Sequence, residues 1–275
     1  MGALLGLFAA FAVSSSELFG RRVVNQAGPI VAASTASLVA SIVALAISVG
    51  GGEAPLLRDL VVGGLSGVGF GLGMASYLQG LRESTSAVVG PVVASLVVLI
   101  PFSYSALIED LPGVLSLLGA AASLLGLVFV TVGGLGVGNV AFGLRWGLIS
   151  GLAFGVGTAV FIESSGDSGW WPVVSQRAVA FTAIAVFAVA SSRPLVPQRS
   201  VAGQAVAAGV FAAFSSILLL AGLNLDPAAA SVTSALYPAS SVVIGRVIFR
   251  DSVTRWQIVG LIIVVGGTIA IVLGS

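Results

Sequence analysis

Cysteine, histidine and lysine are all absent from the 275 residues of the chain. Without cysteine and histidine, the protein has no disulfide, no thiol nucleophile and none of the usual ligands of transition metals. Without lysine, it lacks the Gly-rich loop with Lys that holds nucleotide phosphates in ATP-driven pumps. The acidic residues are scattered and form no catalytic cluster. We therefore predict that the protein is not an enzyme, not a self-contained ATP-driven pump, and needs no metal or cofactor.

Charge of either sign is also scarce. Only 8% of the residues are charged and 57% are hydrophobic, whereas a soluble domain carries about 25% charged residues. The mean hydropathy is +1.15, and a net charge of +1 offers no basic patch for nucleic acid. Such a chain cannot cover a surface that faces water, so lipid must be its solvent.

Apolar segments of about 20 residues, the length that crosses a bilayer core of about 30 Å, fill the chain. We predict ten membrane-spanning helices, because backbone groups in lipid must be satisfied within each segment. Charges follow the first segment and do not precede it, so we expect it to be a retained helix and not a signal peptide. The predicted spans are 3–24, 28–49, 59–80, 85–107, 112–132, 142–163, 171–191, 201–222, 227–248 and 255–273.

A repeat relates the two halves of the chain. An acid, a Gly nine residues later and a Gly seven residues after that occur twice, at a constant offset of 141 (251−110). We therefore predict two five-helix repeats, residues 1–137 and 138–275. An odd number of helices makes the second repeat enter the membrane from the opposite side, which is the inverted-repeat architecture of secondary transporters. The repeated residues are Asp110, Gly119 and Gly126, then Asp251, Gly260 and Gly267.

These residues also carry a resemblance to a known family. The chain resembles the ten-helix EamA-type branch of the drug/metabolite transporter superfamily, in which each half has an acid opening its last helix and Gly at this spacing. The family usually has Glu where Asp110 and Asp251 stand here, and either Asp would also serve as a simple helix N-cap. The resemblance implies export of a small metabolite or drug-like solute by alternating access. A membrane receptor or scaffold without transport is the alternative, and solute flux would discriminate between them.

The sequence also predicts the cellular location of the protein and its partners. The exclusive use of Arg among basic residues, with abundant Ala, Gly and Val, is typical of a GC-rich bacterium, so we predict a multi-pass protein of a bacterial plasma membrane. Its partners would be a small solute, protons and lipid, and a monomer is compatible with the sequence. Nine of the eleven arginines lie near odd-numbered connections, which predicts that both termini are outside the cell. The family resemblance implies the reverse orientation.

Glu17, in "SSSELFGRR", is the main candidate for solute or ion coupling. A carboxylate within a membrane span is unfavourable by about 2.5–3.5 kcal/mol at the bilayer centre and usually marks a pathway. Glu17 and Gly20 also resemble the membrane Glu and Gly of small multidrug resistance relatives, which implies a proton and cation site. We expect Glu17 to face a cavity, with Ser14 one turn earlier able to hydrogen-bond its carboxyl. The alternative is that Glu17 only pairs with Arg21 near the interface.

Arg177 is a second charged residue within a span, about two turns into the seventh segment. It could bind an anionic group through two parallel hydrogen bonds, or it could neutralise Glu163 near the end of the sixth segment. The sequence does not choose between these interpretations.

Other polar residues are expected to line a central cavity formed by helices one, three, four, six, eight and nine. In the ninth segment, Ser234, Tyr237 and Ser241 share a face around Pro238. In the fourth segment Pro91 occupies a comparable place, so we expect bent or broken helices in both halves. The remaining candidates are Tyr104 and the pair Tyr77 and Gln79, of which at most one can face the cavity.

Overall fold

The computed structural model describes residues 1–84, 86–108, 113–132, 140–244 and 254–274. These residues form α-helices connected by short segments, and no strand occurs among them. The helices are α1 Gly2–Ala27, α2 Pro29–Gly51, α3 Leu57–Glu83, α4 Ser86–Ile108, α5 Val114–Val132, α6 Val140–Ile162, α7 Trp171–Ala190, α8 Ala202–Leu223, α9 Pro227–Ser234, α10 Tyr237–Ile244 and α11 Arg255–Gly274. A single 3-10 turn, Arg199–Val201, precedes α8.

The prediction of an all-α membrane protein is confirmed. Nine of the ten predicted spans correspond to one helix each. In the described part of the chain, six helices are long and apolar enough to cross a membrane: α1, α2, α3, α6, α7 and α8. The acids Asp110 and Asp251, which were expected to open helices, lie outside the described residues.

The ninth span is broken into α9 and α10. Two turn residues, Ala235 and Leu236, separate the two helices. Pro238 has no N–H to donate to the Ser234 carbonyl, and the Leu236 N–H bonds the Thr233 carbonyl at 3.2 Å, three residues back. The expected break at Pro238 is therefore confirmed. In contrast, α4 continues through Pro91 without a break.

Glycines allow the helix backbones to approach each other closely. A Cβ placed on Gly119 of α5 would lie 2.6 Å from the Gly267 carbonyl oxygen of α11, and one on Gly126 would lie 2.8 Å from that of Gly260. The order of these contacts makes α5 and α11 antiparallel. Such contacts between small residues replace the hydrophobic effect, which does not drive helices together in lipid.

Most helices pack against helices of the other half of the sequence. α1 packs against α8 and α9, α3 against α6 and α7, α4 against α6, and α2 against α7 and α8. α1 and α2 are joined by Gly28 alone, whose φ of 91° is a conformation that favours glycine. The centre of the bundle is therefore formed by both halves together.

The two ends of the bundle have different contacts. At the end where α1 begins, here called the Gly2 end, Trp171 Nε1 donates to the Glu53 carbonyl at 2.8 Å. Asp59, fully buried, accepts hydrogen bonds there from Ser165 and Ser168. The opposite end, where α1 ends, is called the Gly28 end.

The contact between α5 and α11 leads to a prediction about two adjacent glycines. Gly267→Val should lower the unfolding free energy by about 1–3 kcal/mol, because its Cβ would lie 2.6 Å from the Gly119 carbonyl oxygen. Gly266→Val is the matched control, since no atom lies within 4 Å of a Cβ there. Thermal unfolding in detergent, followed by tryptophan fluorescence, should show a loss only for Gly267→Val. Equal losses in both variants would contradict this account of the helix contact.

Candidate functional site

A cavity of about 90 Å³ lies in the centre of the bundle. Its walls come from α1, α3, α4, α6, α8, α9 and α10, which confirms the predicted lining helices, and α7 contributes in addition. Most of the wall is apolar and includes Val13, Phe70, Met74 and Phe154. The polar residues that line it are Glu17, Tyr77, Thr158, Arg177, Ser215, Ser234 and Tyr237.

Glu17, Tyr77 and Tyr237 form one polar group, here called the Glu17 pole. Side-chain hydrogen bonds connect Tyr77 with both Glu17 and Tyr237. The two tyrosine rings meet edge to face, with centroids 6.3 Å apart. Both tyrosines are buried and Glu17 is half-buried, whereas Arg21, one turn further along α1, is exposed. The pole thus places a carboxyl and two hydroxyls on three different helices around one space.

Arg177 is buried, with 6% of its surface exposed. Its Nε donates to Ser216 Oγ at 2.9 Å, and its Nη2 donates to the Ala212 carbonyl at 3.0 Å and also to Ser216 Oγ. The guanidinium carbon lies 5.5 Å from the centroid of the Phe70 ring, within the range of a cation–π contact. No described residue accepts a hydrogen bond from Nη1, and no described carboxylate pairs with Arg177. The side chain is held rigidly, with one nitrogen left for the cavity.

Thr158 and Ser215 lie on the same cavity. They are 2% and 4% exposed, and no described residue hydrogen-bonds to either hydroxyl. Together with Arg177 they form what we call the Arg177 pole. Phe70 and Tyr77 are seven residues apart on α3, so the two poles are separated by about 10 Å along the axis of α3. The Arg177 pole lies toward the Gly2 end.

Ser14 does not bind Glu17 as expected. Its hydroxyl lies 2.7 Å from the Tyr237 carbonyl oxygen, 2.6 Å from Ser240 Oγ and 2.9 Å from the Ala10 carbonyl oxygen. Ser14 is fully buried and ties α1 to the start of α10, just after the break in the ninth span. It therefore positions the Glu17 pole instead of lining the cavity.

Three other predicted residues lie elsewhere or cannot be placed. The Tyr104 hydroxyl donates to Glu163 Oε1 at 2.6 Å, at the Gly2 end of the bundle. Gln79 lines a separate cavity of about 560 Å³ at the Gly28 end, together with Arg193. The side chain of Ser241 lies outside the described part of the structure, so its predicted role stays a prediction.

Of the two interpretations of Arg177, the one in which it neutralises Glu163 is wrong. Glu163 Oε2 lies 3.7 Å from Arg58 Nη2, so the partner of Glu163 at the surface is Arg58. The expectation of two parallel hydrogen bonds from Arg177 to an anion also needs correction. Nε and Nη2 already bond to α8, and only Nη1 remains available.

Sequence reasoning missed Ser215, Ser216 and the role of Thr158. Ser215 and Ser216 form the only adjacent pair of hydroxyl residues within the apolar run of α8, and this pattern indicates a polar site on that helix. Thr158 lies 141 positions after Glu17, at the offset of the repeat. Its place on the cavity depends on helix packing that the sequence does not give.

The contrast between these adjacent serines can be tested. Ser216→Ala should lower the unfolding free energy by about 1.5–3 kcal/mol, because it removes the acceptor of two Arg177 nitrogens. Ser215→Ala should change it by less than about 0.5 kcal/mol, since no described residue bonds to that hydroxyl. Thermal unfolding of both variants in detergent measures the difference. A larger loss for Ser215→Ala than for Ser216→Ala would refute this assignment of contacts.

Comparison with known proteins agrees with the fold. No curated protein matches the sequence. A protein of known crystal structure has the same fold, with a TM-score of 0.78 over 99% of this chain and 96% of that chain. At 18% identity, this similarity shows the fold alone.

The sequence of the first half matches a known family. Residues 1–132 match the EamA-like transporter family. With its long apolar helices, the chain is a multi-pass integral membrane protein. The match over residues 1–132, just under half of the chain, indicates an EamA-like transporter, a family whose members are transporters of the drug/metabolite type.

Proposed function

We propose that the protein is a secondary active transporter that exports a small solute across a bacterial plasma membrane by alternating access. The observation that carries the proposal is the central cavity, where polar side chains from six of the predicted spans converge. Ionisable side chains within a membrane span, such as Glu17 and Arg177, are unfavourable and usually mark a pathway. The family match supports transport, and the direction, the driving ion and the solute are our inferences.

An inverted repeat would supply the mechanism, and the cavity wall supports it. Four pairs of residues at the offset of 141 lie on the wall, one member from each half. Halves related by a twofold axis in the membrane plane would place equivalent positions around a shared site near the midplane. The antiparallel contact of α5 with α11 has the same reciprocal form, because Gly119 meets Gly267 and Gly126 meets Gly260. The four pairs are Val13 and Phe154, Glu17 and Thr158, Met74 and Ser215, and Val93 and Ser234.

Alternating access requires that the two ends of the bundle open in turn. Contacts at the Gly2 end are polar and hold separate segments together, as Arg58, Glu163 and Tyr104 do for α3, α6 and α4. Arg58 and Glu163 are 66% and 41% exposed, so water can replace their contact at little loss in free energy. The break between α9 and α10 gives the cavity wall a place to bend.

Glu17 is the group that we propose carries the coupling proton. A low-dielectric cavity favours the neutral form of a carboxyl group, and water entering from either side would allow proton exchange. The hydrogen bond with Tyr77 connects Glu17 to Tyr237, at the start of α10 in the broken span. Protonation of Glu17 would therefore change the contacts of α1, α3 and α10 together.

The neutral variant Glu17→Gln tests this role. It should abolish solute accumulation driven by a pH gradient in proteoliposomes while leaving solute exchange and thermal stability largely unchanged. Asp167→Asn is the matched control, because Asp167 is an exposed residue outside the cavity and should keep gradient-driven transport. Full pH-driven transport by Glu17→Gln would remove Glu17 as the proton carrier.

Transport itself is tested with a solute panel. Purified protein in proteoliposomes should move at least one of several classes, which include amino acids, other metabolites, nucleotide-linked sugars and drug-like compounds. Tyr237→Ala should change the apparent affinity for that solute, because Tyr237 lines the cavity. Absence of flux for every class, with a correctly folded protein, would favour the receptor or scaffold function.

A further inference from the structure

We propose that the Arg177 pole is a binding site for the carboxylate of a small monocarboxylate with an apolar body. This inference rests on the proposed transport function, for which it names the class of solute. The observation that carries it is that Arg177, Thr158 and Ser215 line one cavity, where a guanidinium nitrogen and two hydroxyls have no described hydrogen-bond partner.

The positive charge of Arg177 favours an anionic ligand. A buried cation without a counter-ion is unfavourable by several kcal/mol. The hydrogen bonds to Ser216 and the Ala212 carbonyl, together with the Phe70 ring, satisfy two nitrogens and one face of the guanidinium, but they supply no negative charge. Among the described residues, none brings a carboxylate to Arg177. An anion bound at Nη1 would complete both the charge balance and the hydrogen bonding.

The hydroxyls of Thr158 and Ser215 can donate hydrogen bonds to the same ligand. Hydroxyls of helical Thr and Ser can find a hydrogen-bond partner in a carbonyl of the preceding turn. Other hydroxyls in the bundle do so, as Thr182 Oγ1 does with the Ala178 carbonyl at 2.8 Å. No described residue partners either of these two. With Nη1 they offer donors from α6, α7 and α8, enough for the two oxygens of a carboxylate.

The size and charge of the site favour a monocarboxylate over a phosphate. The cavity is small, with a volume of about 90 Å³, so the occupant is small. A phosphate monoester brings close to two negative charges toward a single guanidinium, in a cavity that also contains Glu17. The wall between the poles is formed by Phe70, Met74 and Phe154, against which an apolar body can pack.

The separation of the poles disfavours an α-amino acid. Its ammonium group is two bonds from its carboxylate, whereas Glu17 lies about 10 Å from the Arg177 pole by the rise along α3. With the carboxylate at Nη1, the ammonium would lie among apolar side chains, close to another cation and far from Glu17. Such an unpaired buried charge would weaken binding.

Four compounds of closely related skeleton test the proposal with purified protein in detergent. They are 4-methylpentanoate, its uncharged amide, leucine and isopentyl phosphate. A bound ligand raises the unfolding temperature in proportion to ln(1 + [L]/Kd). We expect stabilisation by 4-methylpentanoate alone, and a loss of affinity of about tenfold or more in both Thr158→Val and Ser215→Ala, since each removes a hydrogen bond to a charged group. Thr182→Val, on the exposed face of α7, should bind as the wild type does.

Thr158→Val and Ser215→Ala both retain Arg177, so neither variant removes the hydrogen bonds that Arg177 makes within the bundle. The other outcomes would each overturn part of the proposal. Equal stabilisation by the amide would overturn an anion site. Stronger stabilisation by leucine or by isopentyl phosphate would overturn the solute class in favour of a zwitterion or a phosphate. If no compound stabilises the protein while it still transports another solute, this inference fails and the transport function survives. If 4-methylpentanoate binds through Thr158 but no solute is moved, the binding site stands and the transport function fails.

Discussion

Lipid offers no hydrogen-bond partners, and this constraint shapes the whole structure. Every buried polar group must find its partner within the bundle. The fully buried Asp59 therefore accepts hydrogen bonds from Ser165 and Ser168, and Ser14 donates to the Tyr237 carbonyl beside the break in the ninth span. The same constraint makes each unsatisfied polar group informative, since nothing outside the bundle will satisfy it.

In the central cavity, some polar groups have no described hydrogen-bond partner within the bundle. The two poles of this cavity differ in character. The Glu17 pole is a connected set of a carboxyl and two tyrosines, suited to moving a proton between helices. The Arg177 pole keeps one nitrogen and two hydroxyls without described partners, suited to a ligand. Because the poles lie about 10 Å apart on one wall, proton and solute can occupy the same cavity without direct contact.

The sequence predicted the parts that depend on composition and local pattern. Hydrophobic length gave the helices, the position of Pro238 gave the break in the ninth span, and a carboxylate within a span correctly placed Glu17 on a cavity. It could not give contacts between distant segments. Glu163 was a candidate partner of Arg177, but its carboxylate pairs with Arg58 of α3. Tyr104 and Gln79 are as polar as Tyr77, and only the rotation of each helix decides which of them faces the centre.

Access to the cavity from both sides of the membrane is the central claim, and one cysteine can measure it. Because the chain has no cysteine, Met74→Cys places a unique thiol on the cavity wall, and Leu65→Cys places one on the outer face of the same helix as a control. The rate of reaction with a membrane-impermeant thiol reagent is measured from each side of oriented vesicles, with and without transported solute. We expect Met74→Cys to react from both sides, with solute changing the two rates in opposite directions, while Leu65→Cys stays unreactive. Reaction from one side only, unaffected by solute, would contradict alternating access.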